Sequence, residues 1–363
     1  MLASKKYSQT AILLSGNPIP INLTALTTQE RVFITIKDGF FPIHQQAQIA
    51  DYATGFNCTA NRPIVDYLQG IEFPDFTKTG FQEVPDYSKE FTITYKKKTD
   101  TSDTVLEKIR VARAKADKRT FAIVGQNMLS RSIDWHTNRP YNIQAYPCAN
   151  LLYFLCNLNP LPNRIIAKAK IFHSKNQESI IEEFAVIETP IQNMMYSLDI
   201  SLLKFAEAAN INYQDIACIE IFLKDEEDIK ITSTKMLYPE SFMAPQFRQV
   251  WYLSTIGVWE THIFSGQHIQ TQEIDTFRDE YQYKQVEFYT HSYGKFTLNS
   301  GILSENYQQY LAFQITHSEK IFILESDGTY QQIIKLNKSI QTYDSAEIDE
   351  HLTFEFRYIE TEI

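Results

Sequence analysis

The side chains best suited to holding a metal or moving a proton are eight histidines: His44, His136, His173, His262, His268, His291, His317 and His351. None stands in H-E-x-x-H or in an i, i+4 pair, the spacing that would put two imidazoles on one helix face. His262 and His268 are six apart, so an unbroken strand would bring both to one face as a metal edge. Gly266 between them predicts a turn instead, and structural or solvent-facing histidines are the simpler expectation. Serine chemistry has no better support. There is no G-x-S-x-G, and Ser265-Gly266 and Ser300-Gly301 are lone dipeptides in turns. Paired carboxylates for glycoside hydrolysis are defined by separation in space, not in sequence. The acidic residues here fall in turns or on alternating strand faces and read as solvated surface. The acidic run Asp225 to Asp228 lacks the alternating ligands and the glycine of a calcium loop. Lys96 to Asp103 reads as a solvated hairpin tip in preference to a phosphate patch. Trp135-His136, Trp251 and Trp259 could stack on sugars, although buried or interface positions are commoner for tryptophan. No residue is therefore assigned a catalytic, cofactor-binding or metal-ligating role, no cofactor is expected, and the chain reads as a non-enzyme.

The composition narrows the class further. Only 11 of 363 residues are glycine, which leaves little room for a phosphate-cradling loop, and neither G-x-G-x-x-G nor G-x-x-x-x-G-K occurs. Basic residues number 34 and acidic residues 44, a net charge of −10 that argues against a nucleic-acid binder held by a broad basic face. No run of eighteen apolar residues is present, so no membrane-spanning helix is expected. The run Ala11 to Leu14 is too short for the apolar core of a secretory leader, and a chain made without export is the expectation. Cys58, Cys148, Cys156 and Cys218 show no C-x-x-C spacing. Cys156 and Cys218 read as small core hydrophobes.

The elements follow from aromatic and β-branched residues, which favour strands. Aromatics make up 13% of the chain, so a mainly β protein is expected. Arg31 to Lys37, Phe91 to Lys97, Val105 to Arg113, Arg164 to His173, Glu182 to Ile187 and Cys218 to Leu223 read as strands, with Val105, Ile109 and Val111 inward. Ser197 to Ala209 reads as a helix capped by Ser197 or Asp199, with Leu202, Leu203, Phe205 and Ala206 as its apolar face. Later strands are expected at Val250 to Leu253, His262 to Phe264, Tyr283 to Thr290, Lys320 to Leu324 and Leu352 to Ile359. A short helix capped by Ser304 interrupts them, burying Tyr307, Tyr310 and Leu311. Length and pattern predict two or three antiparallel β-sandwich or barrel-like domains with a few short helices. The segments are 1–125, 126–245 with one short helix, and 246–363, with a boundary near Pro245.

One set of motifs recurs in order: Ser15-Gly16-Asn17-Pro18-Ile19, the stretch from Ser197 into Cys218 to Lys224, and Arg248 to Thr261 followed by Ser265-Gly266. Gly301 to Glu305, Lys320 to Leu324 and the closing Leu352-Thr353-Phe354-Glu355-Phe356-Arg357 complete it. Together these resemble tail-associated structural proteins of phages and prophages of Bacteroidetes. In those the middle motif reads "N-S-L-G-aromatic-[DE]" and the last strand "L-x-[FV]-E-[FY]-R". This chain departs at Ser254-Thr255-Ile256-Gly257. The resemblance runs thinly over most of the chain and is densest from Arg248 onward. It implies a virion part: a tail or baseplate component, located in the tail and in the host cytoplasm during assembly. Such a part would form a homo-oligomeric ring or dock on neighbouring tail proteins, without membrane or sequence-specific nucleic-acid contact. From the residues alone, a carbohydrate-binding or adhesion protein using exposed aromatics is the alternative, and a glycoside hydrolase on a β-scaffold a third.

Overall fold

The computed structural model describes residues 8–9, 12–15, 20–23, 31–49, 56–59, 68, 71–76, 78, 80–98, 100–112, 114, 134–137, 139, 142–144, 148–174, 179–239, 247–281, 284–336 and 351–359. Both expected segment boundaries, at 125/126 and 245/246, lie outside these residues, as do Gly16 to Ile19 of the N-terminal motif. The protein is mainly β, built of several largely antiparallel sheets with two α-helices among the described residues.

The N-terminal sheet runs Leu13–Leu14, Thr104–Ala112, Ser88–Lys97, Arg31–Asp38, Phe41–Ile49. Val32, Ile34, Ile36, Phe91, Ile93, Ile109 and Val111 fill its inner face, the period of two that the sequence shows. Val105 departs from the expectation. It is 59% exposed, because the ladder slips at Ile93/Thr94 and the strand has left the core by then.

The central part is a sandwich. Its larger sheet runs Asn142–Gln144, Lys235–Pro239, Ile216–Asp225, Ile165–His173, Ser179–Ile187, and its smaller one Leu151–Cys156, Met194–Asp199, Phe81–Val84. Ile165, Ala167, Ala169 and Ile171 meet Leu152, Phe154, Tyr196 and Leu198 across the sandwich, with helix α1 (Leu202–Ala208) closing one end through Leu202, Phe205 and Ala206. The helix starts later than expected. Ser197 and Asp199 pair with Tyr153 and Leu151 as strand residues, and Ser201 takes the N-cap position. The Asp199 carboxylate accepts bonds from Ser201 N (2.8 Å) and Ser201 Oγ, so it shapes the turn into the helix without capping it. Leu203 points outward, 37% exposed. Phe81–Val84, from the first third of the chain, completes the smaller sheet by pairing with Met194–Asp199's Met195 to Leu198.

The C-terminal sheet has seven strands in the order Trp259–Phe264, Arg248–Leu253, Ile321–Leu324, Tyr330–Lys335, Thr353–Tyr358, Lys284–Asn299, His268–Tyr281. Helix α2 (Glu305–His317) packs Tyr307, Leu311 and Ile315 on its inner face with Val250, Tyr252, Phe354 and Phe356. Tyr310 is only partly buried, and Ser304 holds the N-cap position without a side-chain bond. In the closing strand region Leu352, Phe354 and Phe356 are fully buried while Thr353, Glu355 and Arg357 are not, as alternation predicts. Tyr358 is half-buried.

One apolar cluster belongs to no single sheet. It joins Ile12, Leu14, Ile71, Tyr87 and Ala112 to Leu151, Tyr153, Leu155 and Met195, and these to Trp251, Ile256, Val258 and Trp259. The run Leu151–Cys156 is apolar throughout for this reason: alternate residues serve the sandwich and the shared cluster, so both faces are buried.

Candidate functional site

The chemically capable side chains converge on this shared cluster. Tyr87 ends the 3-10 turn Pro85–Tyr87, where the chain passes from the small central sheet into the N-terminal one. His136 is held beside the central sheet by its backbone N–H, which donates to Tyr153 O at 2.7 Å. Ile256 lies in a tight turn closed by Ser254 N to Val258 O (2.9 Å) and Gly257 N to Ser254 O (2.9 Å). Gly257 takes φ +78°, a conformation cheap only for glycine. Tyr87 Oη lies 2.6 Å from His136 Nε2 and donates to Ile256 O at 3.1 Å, and His136 Nε2 lies 3.1 Å from the same carbonyl. Three distant stretches of chain thus meet in one knot. A tyrosine–histidine pair is suited to proton transfer, but burial pushes the Tyr87 phenol far up and drags the His136 imidazole down to about 4. Both are neutral at pH 7, and the pair acts as a tie.

A second knot lies between the sandwich and the C-terminal sheet. Arg139, 2% exposed, donates through Nη1 to Thr261 O (2.9 Å) and through Nη2 to Asn150 Oδ1 (3.3 Å) and Leu151 O (3.1 Å). Glu260, 1% exposed, supplies the nearby countercharge and accepts from Thr137 Oγ1 (2.6 Å) and Tyr310 Oη. Lys235 Nζ donates to Arg139 O, and burial beside the Arg139 charge pulls its ammonium down to about 8. His262 faces Tyr307 Oη from Nδ1 at 3.4 Å; burial, helped by Arg139, lowers it to about 3. Buried charges persist only when compensated and hydrogen-bonded, and here the electrostatic compensation spans residues 121 apart.

The tryptophans are structural. Trp135, Trp251 and Trp259 are 5%, 0% and 1% exposed, which removes them as a sugar-stacking platform. Trp259 Nε1 donates to Glu72 O at 2.8 Å, and Phe73 meets its ring edge-on at 5.0 Å. Trp135 Nε1 donates to Ser233 O at 3.1 Å. His262 and His268 do not share a face, because the chain turns at Gly266 and His268 opens the next strand. Ser265 and Ser300 come together, Ser265 Oγ donating to Ser300 O at 3.4 Å. Glu226 to Asp228 of the acidic turn are exposed, as expected of solvated surface. Asp225 is buried and accepts from Glu227 N and Ile229 N (3.0 and 2.7 Å). Asp228 pairs with Lys168 (3.0 Å) and Lys224 (2.7 Å), a use for its charge that needs no calcium. Cys148 and Cys156 are buried free thiols, pushed up to about 12 by burial; Cys218 is half-buried. Among the described residues no group of three or more His, Cys, Asp or Glu is placed to hold a metal.

No sequence motif singles out Arg139, Glu260 or Tyr87, and Tyr310 reads only as part of a helix's buried face. One signal was available: Glu260 is a charge in the strand Trp259–Phe264, every residue of which is buried.

No protein-family profile and no curated protein matches the chain. Among solved structures it is similar to the extracellular region of plexin A4, domains 1 to 8, at 7% identity and a TM-score of 0.20. That match covers 99% of this chain and 40% of that one, so the chain spans less than half of its length. A score so low carries no argument about fold or function.

Proposed function

We propose that the chain is a non-enzymatic structural protein that assembles with copies of itself or with neighbouring proteins. On the motif resemblance, its setting is a phage-type tail or baseplate within the virion, with the host cytoplasm as the place of assembly. The observation that supports this reading is the use made of the reactive side chains. Tyr87, His136, Arg139 and Glu260 are all buried, and each bonds to a group from a distant part of the chain or compensates one electrostatically. Such ties make three sheets one body, which a load-transmitting part requires and which leaves these groups unavailable to a substrate. The sugar-binding alternative is weakened by the burial of all three tryptophans.

Light scattering on the purified protein, alone and with the products of adjacent genes, tests the proposal. The expected result is an oligomer, or a monomer that assembles once its neighbour is added. Turnover of polysaccharide or peptidoglycan that a single carboxylate substitution abolishes would overturn it.

A further inference from the structure

Two long strands lie at sheet edges among the described residues, one near each end of the chain. Phe41–Ile49 closes the N-terminal sheet, and His268–Tyr281 closes the C-terminal one. The second continues as a ribbon beyond its sheet. Thr353–Tyr358 pairs with Lys284–Asn299 only over Lys295 to Asn299. From Gln272↔Gly294 to Tyr281↔Lys284 the two-stranded ladder runs on without a further strand among the described residues. Ten residues at ~3.4 Å each give a projection of ~34 Å. A two-stranded ribbon without further strands is marginal in water, and an unpaired strand edge is a template for another chain.

The sequence of this ribbon is that of an interface. Between Gln272 and Tyr293 six of 22 residues are aromatic, about twice the share in the whole chain: Phe277, Tyr281, Tyr283, Phe288, Tyr289 and Tyr293. Aromatic enrichment marks interface cores. The same stretch has no proline and carries five acidic residues against two basic ones, so two ribbons repel each other. The Phe41–Ile49 edge is the opposite case. It carries no Asp, Glu, Lys or Arg, and its guards, Pro42 and the register slip at Ile36/Lys37, are confined to its first residues. Its nine residues span ~31 Å at the same rise, a match to the ribbon. At its start Phe40 and Phe41 are 97% and 78% exposed.

We infer that the ribbon 272–293 of one copy adds as strands to the Phe41–Ile49 edge of a second copy of this chain. The inference rests on the self-assembly reading above. The two surfaces differ, so the contact is head-to-tail and repeats into a ring or a filament.

Two variants test it. In the first, residues 272–294 are replaced by Asn-Gly, a two-residue hairpin turn joining Thr271 to Lys295, which already pair. In the second, Phe40→Asp and Phe41→Asp place two carboxylates where the acidic ribbon would dock, on side chains that no core uses. Each variant alone is expected to run as a monomer with its unfolding transition kept. Mixed, they should give a one-to-one dimer and nothing larger, because each retains the surface the other lacks. Assembly of the wild type with both variants still assembling, or with no dimer on mixing, overturns the head-to-tail contact and leaves the self-assembly reading standing. A wild type that stays monomeric at every concentration, alone and with its neighbours, overturns both.

Discussion

Acidification from pH 7 to pH 5 is expected to weaken the fold through two histidines. His136 and His262 are 5% and 3% exposed, and burial lowers their imidazoles from 6.5 to about 4 and about 3. Between those values and 6.5 the unfolded chain binds a proton that the folded chain refuses, so stability rises with pH across this window and falls as pH drops below 6.5. Each histidine costs about 1.4 kcal/mol per pH unit, hence about 2 kcal/mol between pH 6.5 and 5. The pair together costs about 4 kcal/mol, against a typical domain stability of about 5–15 kcal/mol. The carboxylates held low by ion pairs and hydrogen bonds, Asp103 by Lys37 and Asp228 by Lys224 and Lys168, lose their contribution only as pH falls through the carboxylate range, below this window. Urea unfolding at pH 7, 6 and 5 measures the slope. His136→Gln and His262→Gln should each remove about half of it, whatever either does to stability at pH 7. A loss smaller than about 1 kcal/mol between pH 7 and 5, or an unchanged slope in the double variant, would refute the argument that both imidazoles are buried and neutral.

Three further outcomes are expected. Glu260→Gln leaves the Arg139 charge buried without its countercharge and should cost about 3–5 kcal/mol, whereas Glu260→Gln combined with Arg139→Met should cost less than the two singles added, by about 0.5–3 kcal/mol in a double-mutant cycle. Gly257→Val forces a β-branched residue to φ +78° and should lower stability by about 1–3 kcal/mol; an unchanged melting temperature would count against the turn at Ser254 to Val258. Ending the chain at His351 removes the strand between Tyr330–Lys335 and Lys284–Asn299 and should unfold or aggregate the C-terminal sheet. By contrast, Glu355→Ala with Arg357→Ala, which loses the Lys295–Glu355 ion pair at 3.2 Å, should leave the melting transition within about 1 kcal/mol; a soluble truncated protein with an unaltered transition contradicts the first part.

Much of the fold was legible wherever a strand has one wet face and one dry face. Leu352 to Tyr358 alternates, and it lies in the middle of a sheet with its apolar side under α2. Arg164 to His173 and Glu182 to Ile187 read as strands, and they pair as the antiparallel Ile165–His173 and Ser179–Ile187. The pattern fails where that condition fails. His268–Tyr281 went unread, and Lys284–Asn299 was seen only in part as Tyr283 to Thr290. Most of that hairpin runs beyond Lys295 to Asn299, the stretch paired with Thr353–Tyr358. Ser197 and Asp199 looked like helix caps because Ser and Asp precede an apolar run. Pairing with Tyr153 and Leu151 overrides that local preference.

The two knots were hidden for another reason. Tyr87 and Ile256 are 169 residues apart, and Thr137 and Glu260 are 123 apart, so no spacing rule brings them together. What the sequence does hold is a pair of anomalies: Glu260 directly after the apolar Val258-Trp259, and Leu151–Cys156 with no polar face at all. Both have one cause. A strand buried on both faces must find a second layer, and a charge in such a strand must find its countercharge there. Leu151–Cys156 meets Trp251 and Trp259 of the C-terminal sheet in the shared cluster, and Arg139 reaches across the same contact toward Glu260. A sheet packed this way cannot slide on its neighbour without exposing tryptophan and stranding a charge. The rigidity of the body therefore follows from the same residues that, at a solvent-filled cleft, would have been taken for a catalytic set.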